Sequence, residues 1–167
     1  MGVAAELGAE VVQILDNIPL TSLPPDDIRR LARRAKELGI AVEIGMRGGR
    51  PDQIRRHLDI AAQLDSPLLR IVLEDEGWEP SPAEARALLL QVLPDLRAAG
   101  VTLAIENRFH FLPAQVAGLI QDLADPHVRA CLDHNVNIGL RSKCRARFFD
   151  SRLLRPFIEY PLKTYPD

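Results

Sequence analysis

Carboxylate and amide side chains collect where short apolar runs of this sequence end. Glu74, Glu106 and Asp133 each close such a run, and the polar stretches DEGW, NRFH and HNVN follow them. Several carboxylates and a histidine that converge suit a divalent cation such as Mn²⁺, Mg²⁺, Co²⁺ or Zn²⁺. Such a cation polarises a carbonyl or hydroxyl while a second carboxylate moves a proton. The residue types therefore indicate metal-assisted proton transfer, provided that the ends of these runs lie together.

The apolar runs have the length of β-strands and recur regularly. They end at residues 15, 46, 74, 106 and 133, so that consecutive ends are 27 to 32 residues apart. Short apolar strands that alternate with helical stretches indicate βα units around a buried parallel sheet, whose strand ends share one edge. The predicted strands are residues 10–15, 40–46, 68–74, 101–106 and 128–133.

The stretches between the predicted strands carry helix start and stop signals. Gly39 is placed to cap a helix over 26–38, and Pro51 is placed to begin the next one. Ser81 and Glu84 have the spacing of a capping box, which begins a helix over 81–99 with a kink at Pro94. A fourth helix is predicted over 113–123, and residues 3–7 have the pattern of the last turns of a helix.

Two α/β architectures use this repeat, the open doubly wound sheet and the eight-stranded barrel. Strand alternation puts a polar side chain on one face of the first four strands, and Cys131 with Asp133 on that face of the fifth. A polar inner face is typical of a barrel, where Arg70 could neutralise both Glu43 and Glu106. An eight-stranded barrel needs ~250 residues. We therefore predict a partial (β/α)₈ TIM barrel of about five parallel strands with alternating helices.

The last 27 residues differ in composition from the rest of the 167-residue chain. Residues 1–140 hold 14 Lys and Arg against 20 Asp and Glu, whereas residues 141–167 hold seven basic and three acidic residues and five of the eight aromatic residues. We predict two regions, a partial barrel over 1–140 and an atypical basic aromatic tail over 141–167. The tail lacks the βα rhythm, which indicates a lost reading frame, a gene cut short, or disorder.

Composition narrows the class of protein. The chain has 47% hydrophobic residues and a net charge of −2, which is typical of a soluble globular protein and disfavours nucleic acid as a partner. It contains no apolar run of the ~20 residues that cross a membrane, and its start is unlike a secretory signal. The two cysteines, Cys131 and Cys144, cannot form a disulfide framework. We expect a cytoplasmic location and no membrane partner.

Four stretches carry a family resemblance over roughly residues 1–140. IENRFHF and CLDHNVN, each after a strand, together with GAEVVQIL and ELGIAVEI, resemble the sugar phosphate isomerase/epimerase group of the xylose isomerase-like TIM barrels. The resemblance implies that Glu106 and Asp133 are metal ligands, and that Glu106 is also one of two glutamates that exchange a proton. It implies two further ligands, a His and a Glu on later strands. The sequence has no counterpart of either, so we expect weak or no activity from this chain alone.

Further residues at the predicted strand ends are candidates for the substrate, which we expect to be a small sugar, a sugar phosphate or a keto-polyol. Stretch 47–50, Arg-Gly-Gly-Arg, is either a phosphate cradle ahead of the Pro51 helix or an ordinary βα turn. His57 is expected on a solvated helix face. Cys131 reads as a small buried strand residue. The candidate substrate-binding residues are Glu74, Trp78, Asn107, Arg108, His110, His134 and Asn135.

Two alternatives to the isomerase prediction stay open. A non-catalytic half-barrel would expose the edges of its first and last strands and would persist by pairing with a second copy or another partner. An apurinic-site endonuclease-like enzyme would need several histidine ligands and a basic DNA-binding face, whereas residues 1–140 are acidic.

Overall fold

The computed structural model describes residues 1–108 and 110–133 and shows five βα-type repeats. The predicted tail and the predicted boundary at residue 140 lie outside the described residues. A short 3₁₀ turn, Leu20–Ser22, which the sequence reading did not predict, precedes the second helix. In chain order the elements are α1 (Gly2–Glu6), β1 (Val11–Ile14), α2 (Pro25–Glu37), β2 (Ala41–Arg47), α3 (Pro51–Leu64), β3 (Leu68–Val72), α4 (Pro82–Leu90), α5 (Leu93–Ala99), β4 (Thr102–Glu106), α6 (Pro113–Leu123) and β5 (Val128–Cys131).

The five strands form one parallel sheet in the order β1-β2-β3-β4-β5. Every strand therefore pairs with the strand before it in the chain, as in a (β/α)₈ barrel, and the order never reverses as it does in a doubly wound sheet. The register places Gln13 opposite Glu43 and Glu106 opposite Cys131. The prediction of a partial barrel of five parallel strands is confirmed.

The apolar core lies on the outer face of the sheet, under the helices. Ile44, Leu69, Ile71 and Leu103 are fully buried there, and each is flanked in its strand by residues of the opposite face. Side chains of α2, α3, α4 and α6 complete this cluster, in which Ile54 and Val116 are also fully buried. Because side chains alternate along a strand, this packing turns the polar positions inward.

Two helix ends follow the sequence prediction and one helix does not. Gly39, just after α2, has a φ of +65°, a left-handed conformation that glycine adopts without strain. Ser81 and Glu84 form the predicted capping box. The predicted single helix over 81–99 is wrong, because the chain breaks at residues 91–92 into α4 and α5. Pro94 has no N–H to donate and its ring would clash with the Leu90 carbonyl, so α5 begins anew around it.

The turn between α6 and β5 is held by a buried aspartate. Asp125 is only 2% exposed, accepts a hydrogen bond from the His127 backbone N–H at 2.8 Å, and pairs with the Arg97 guanidinium of α5. Burial alone would raise the pKa of Asp125, but the hydrogen bonds from His127 and Arg97 outweigh it and hold the pKa below its ordinary value. Asp125 therefore ties the start of β5 to the helical layer.

Within the described part of the chain, no helix has the length and apolar character to cross a membrane.

Replacing Asp125 with Asn should lower the free energy of unfolding by about 1–3 kcal/mol at pH 7, because the charge-assisted hydrogen bonds are lost. A depressed pKa stabilises the folded state above the unfolded pKa of ~3.9, and this stabilisation is lost as pH falls through the folded value. Urea unfolding at pH 7 and at pH 3 should therefore show the difference shrinking in acid. Asp122→Asn, an exposed carboxylate of α6, is the control; equal effects of the two variants would contradict the assignment.

Candidate active site

A buried ion pair between neighbouring strands forms the centre of the inner face. Arg70 of β3 donates from Nε to Oε2 of Glu106, at the end of β4, over 2.6 Å. The Glu106 side chain is fully buried, whereas that of Arg70 is 20% exposed. A charge so buried is tolerated only when a partner of opposite charge and good hydrogen-bond geometry compensates it. The predicted neutralisation of Glu106 by Arg70 is therefore confirmed.

Two further side chains extend this pair across the sheet. Arg70 donates from Nη1 to Oε1 of Gln13 at 3.0 Å, and Gln13 donates from Nε2 to Oε2 of Glu43 at 3.0 Å. Gln13 thus links the arginine to Glu43, a bridging role that the sequence reading did not assign to it. The signal was present in the alternation, since Gln13 is the polar residue of β1 on the inner face.

The second oxygen of Glu106 is left open. Oε1 is buried and has no hydrogen-bond partner among the described residues, while Arg70 holds Oε2. A buried carboxylate oxygen without a hydrogen-bond donor is unfavourable, and a bound cation would satisfy its lone pairs. The Glu106 environment thus fits a monodentate oxygen ligand to a divalent cation.

Asn107 places Asp133 beside Glu106. Asn107 is fully buried, donates from Nδ2 to the Asp133 carbonyl at 3.2 Å, and accepts from the Asp133 N–H at 2.9 Å. This reciprocal pair fixes the backbone just after β5 to the backbone just after β4. Both hydrogen-bonding ends of the Asn107 amide are thereby engaged, so the structure places it as a support for Asp133.

The thiol pKa of Cys131 is affected by burial and by the charged side chains of the same face. It is half-buried, and burial is the main reason that its thiol pKa is raised. Arg70 acts in the opposite direction, while the carboxylates of Glu106, Asp133 and Glu43 raise the pKa further. The thiol thus stays protonated at neutral pH, which agrees with its prediction as a strand residue without a nucleophilic role.

Glu74 lies beyond the end of β3 and is 6% exposed. Within residues 1–108 and 110–133, neither of its carboxylate oxygens has a hydrogen-bond partner. The predicted strand over 68–74 is two residues longer than β3, because the chain bends at residue 73. Glu74 therefore sits at the rim of the inner face, where substrate or ions would enter.

The other rim residues hold the loops to one another. The Arg50 guanidinium lies 4.6 Å from the Trp78 ring centre, and His110 Nε2 lies 2.7 Å from Oε1 of Glu79. Arg108 is half-buried, and its backbone N–H donates to the Phe111 carbonyl. Trp78 and His110 thus join the loop after β3 to the loops after β2 and β4. His134 and Asn135, two further predicted substrate contacts, lie outside the described residues.

The sequence leaves two alternatives for stretch 47–50, a phosphate cradle and an ordinary βα turn. The N–H groups of Gly48 and Gly49 donate to the carbonyls of Val72 and Leu73 at 2.9 and 3.1 Å. These bonds extend the β2–β3 ladder and leave neither amide free for an anion. The alternative reading of an ordinary βα turn is the one that the structure shows.

The prediction that His57 lies on a solvated helix face is wrong. Its side chain is half-buried, Nδ1 donates to the Gln53 carbonyl at 2.8 Å, and both residues line a cavity of about 340 Å³ beside the loop after β1. Burial lowers the pKa of His57, the Gln53 hydrogen bond raises it and the Arg56 charge lowers it, with a net decrease. His57 is therefore neutral at pH 7 and does not lie on a solvated face.

Across residues 1–108 and 110–133, no cluster of three or more His, Cys, Asp or Glu side chains has the geometry of a metal site. The two residues that the family resemblance makes ligands, Glu106 and Asp133, are nevertheless brought to neighbouring strand ends. Their assignment as ligands stays a prediction, which the open oxygen of Glu106 supports.

Changing Arg70 to Met should lower the free energy of unfolding by about 3 kcal/mol, because Glu106 would keep a buried charge without compensation. Adding Glu106→Gln removes that charge, so the double variant should be more stable than the sum of the single effects predicts. Urea unfolding of the wild type, both single variants and the double variant measures this coupling. Strictly additive effects would show that the ion pair does not hold the inner face together.

Comparisons with known proteins agree with this geometry. Residues 1–135 match the model of the family described as xylose isomerase-like TIM barrel. A 3-oxo-isoapionate decarboxylase of Pectobacterium atrosepticum is 33% identical over 129 residues, which cover 77% of this chain and 47% of that protein. The chain thus spans about half the length of this curated relative.

Solved structures share the fold at lower identity. A D-psicose 3-epimerase, crystallised with D-fructose, superposes with a TM-score of 0.67 at 17% identity. The match covers 83% of this chain and 57% of the epimerase chain. The IolI protein with a bound zinc atom has a TM-score of 0.62 at 11% identity, covering 76% and 54%. The strand order, the inner polar face and the match over residues 1–135 lead to one conclusion: the chain belongs to the xylose isomerase-like TIM barrel family.

Proposed function

We propose that this chain carries half of a metal-dependent site that transfers a proton on a small sugar, sugar phosphate or sugar-derived keto compound. The observation that carries the proposal is the state of Glu106. Arg70 holds one of its oxygens, and the other is buried, open and next to the strand end that carries Asp133. Such an arrangement serves a cation ligand well, because the oxygen that would bind is already oriented.

Glu106 and Asp133 are the residues that would hold the divalent cation. When bound, the cation supplies Lewis acidity, which withdraws electrons from a substrate carbonyl and stabilises negative charge that develops beside it. Glu106 is in addition the candidate acid/base group of this chain, since one oxygen of this strand-end carboxylate has no donor among the described residues. Arg70 and Asn107 orient these two acids and are themselves engaged in hydrogen bonds.

The similar proteins support this class of chemistry. Epimerisation of a ketose at carbon 3 removes a proton from the carbon next to the carbonyl, and decarboxylation of a 3-oxo acid leaves negative charge at the equivalent position. A D-psicose 3-epimerase and a 3-oxo-isoapionate decarboxylase are both among the proteins that this chain resembles. Both steps need the same stabilisation of charge beside a carbonyl group. We therefore propose the isomerase or epimerase reaction type, with decarboxylation as the nearest variation.

We further propose that the isolated chain binds its cation weakly and has impaired activity. Glu106 and Asp133 provide two carboxylates, whereas a cation of this type takes four to six ligands from protein and water. The match to the curated relative covers only 47% of that protein, whose remaining length has room for further ligands.

Titration with Mn²⁺, followed by electron paramagnetic resonance of the free ion, tests the ligand assignment without a substrate. We expect a dissociation constant of ~100 μM or higher for the full chain. In Glu106→Gln and Asp133→Asn the affinity should fall by a further factor of about ten or more. Glu76→Gln alters an exposed carboxylate near the site and should leave the affinity unchanged. If both site variants bind Mn²⁺ as tightly as the wild type, the ligand assignment is overturned.

Self-association is a second candidate property, and a specific surface favours it. Val3, Leu7 and Val11 are 70%, 81% and 38% exposed, and they lie on α1 and on β1, the first strand of the sheet. In the described residues β1 pairs only with β2, so its outer edge presents free backbone groups. We propose that a second copy of the chain covers this edge.

A dimer of this kind makes stability depend on concentration. The urea midpoint of the wild type should rise as the protein concentration is increased from about 1 to 100 μM. Leu7→Glu places a charge in the covered surface and should abolish that rise, whereas the same change at an exposed polar position, Gln63→Glu, should not. A midpoint independent of concentration would rule out the self-associating form.

A further inference from the structure

Glu74 is a buried carboxylate that nothing in the described structure compensates. It is 94% shielded from solvent, and both of its oxygens lack a hydrogen-bond partner. Leaving a buried charge unpaired is strongly unfavourable, so native structures rarely retain one that no ligand or function requires. The position of Glu74 therefore calls for a ligand that the described chain does not supply.

The residues before Glu74 indicate which face of the sheet it occupies. The β2–β3 ladder continues past β3, because Gly48 and Gly49 donate to the carbonyls of Val72 and Leu73. Leu73 is 1% exposed and belongs to the outer apolar core. Glu74 is the next residue after the bend at Leu73, and we place its side chain on the inner face, two same-face positions beyond Arg70 and beside the strand of Glu106.

Three arginines near the rim are already engaged elsewhere. Arg70 binds Glu106 and Gln13, Arg47 pairs with Asp16 at 3.3 Å, and the Arg50 guanidinium lies on Trp78. None of them forms a hydrogen bond with Glu74. The Glu74 carboxylate thus adds negative charge on the β3 side of the site, and both of its oxygens can accept hydrogen bonds.

We propose that Glu74 accepts hydrogen bonds from hydroxyl groups of the substrate and excludes a phosphate from the β3 end of the site. This inference rests on the proposed function and deepens it, because it makes the substrate a free polyol-type carbonyl compound at that end. An ionised carboxylate accepts hydrogen bonds and donates none, so hydroxyl groups satisfy it. A phosphate would bring like charge into a poorly solvated space. The occupied amides of Gly48 and Gly49 agree, since they offer an anion no donors.

Binding of two matched sugars to the full chain tests this specificity. Wild type, Glu74→Gln, Glu74→Asp and the control Glu76→Gln are titrated with D-fructose and with D-fructose 6-phosphate, with Mn²⁺ present, and binding is followed by saturation-transfer NMR. We expect the wild type to prefer the free sugar. Glu74→Gln should bind D-fructose about tenfold more weakly, as for one lost charge-assisted hydrogen bond, and the phosphorylated sugar about fivefold more tightly. Glu74→Asp keeps the charge and should keep the preference, and Glu76→Gln should match the wild type.

Each other result overturns the proposal. A Glu74→Gln variant with the affinities of the wild type would show that the carboxylate contacts neither sugar. A wild type that binds neither sugar, or prefers the phosphorylated one, would refute the specificity. A lower Mn²⁺ stoichiometry in Glu74→Gln would make Glu74 a cation ligand instead.

The same set of variants separates this proposal from the proposed function. Mn²⁺ binding that is insensitive to Glu106→Gln, with the Glu74 effect intact, would refute the metal site alone. Mn²⁺ binding that depends on Glu106, without any Glu74 effect on the sugars, would refute the specificity alone. Thermal unfolding of Glu74→Gln and Glu74→Asp shows that each variant is folded before binding is compared.

Discussion

The burial of Glu106 is the constraint on which the inner face depends. A carboxylate without solvent contact at the end of β4 would oppose folding, and the Arg70 guanidinium on the adjacent strand offsets that penalty. Arg70 also binds Gln13, and Gln13 engages Glu43, so one buried acid on β4 is linked to polar side chains of the three strands before it. The outer face can then be wholly apolar and pack under the helices, because alternation separates the two environments.

Within this network the acidic side chains differ in how they are held. One oxygen of Glu106 is fixed by Arg70, so the other has a defined direction and, in the part of the chain that the structure describes, no competing donor. Asn107 fixes Asp133 through two backbone hydrogen bonds, which removes freedom that a ligand would otherwise have to restrict on binding. Glu74 has no such support, and its uncompensated burial is the kind of local destabilisation that functional sites retain.

The sequence reading succeeded where a residue's role follows from its position along one strand or helix. Apolar runs and their spacing gave five parallel strands, and Gly39, Ser81 and Glu84 mark helix ends through local backbone chemistry. It failed where several segments must be brought together. The phosphate cradle stayed an alternative at Gly48 and Gly49 because the acceptors of their amides, Val72 and Leu73, are more than twenty residues away in sequence. His57 seemed exposed because the loop that covers it belongs to another βα unit.

The sequence by itself determined the βα repeat, the polar inner face and the identity of Glu106 and Asp133 as strand-end acids, because periodicity and punctuation are local properties of the chain. Only the tertiary structure decided which acids are compensated. Arg70 lies 36 residues from Glu106 along the chain, and Asn107 lies 26 residues from Asp133. Whether a carboxylate is held, as Glu106 is, or left open, as Glu74 is, depends on donors from other strands. Strand register sets those distances, and no local pattern encodes them.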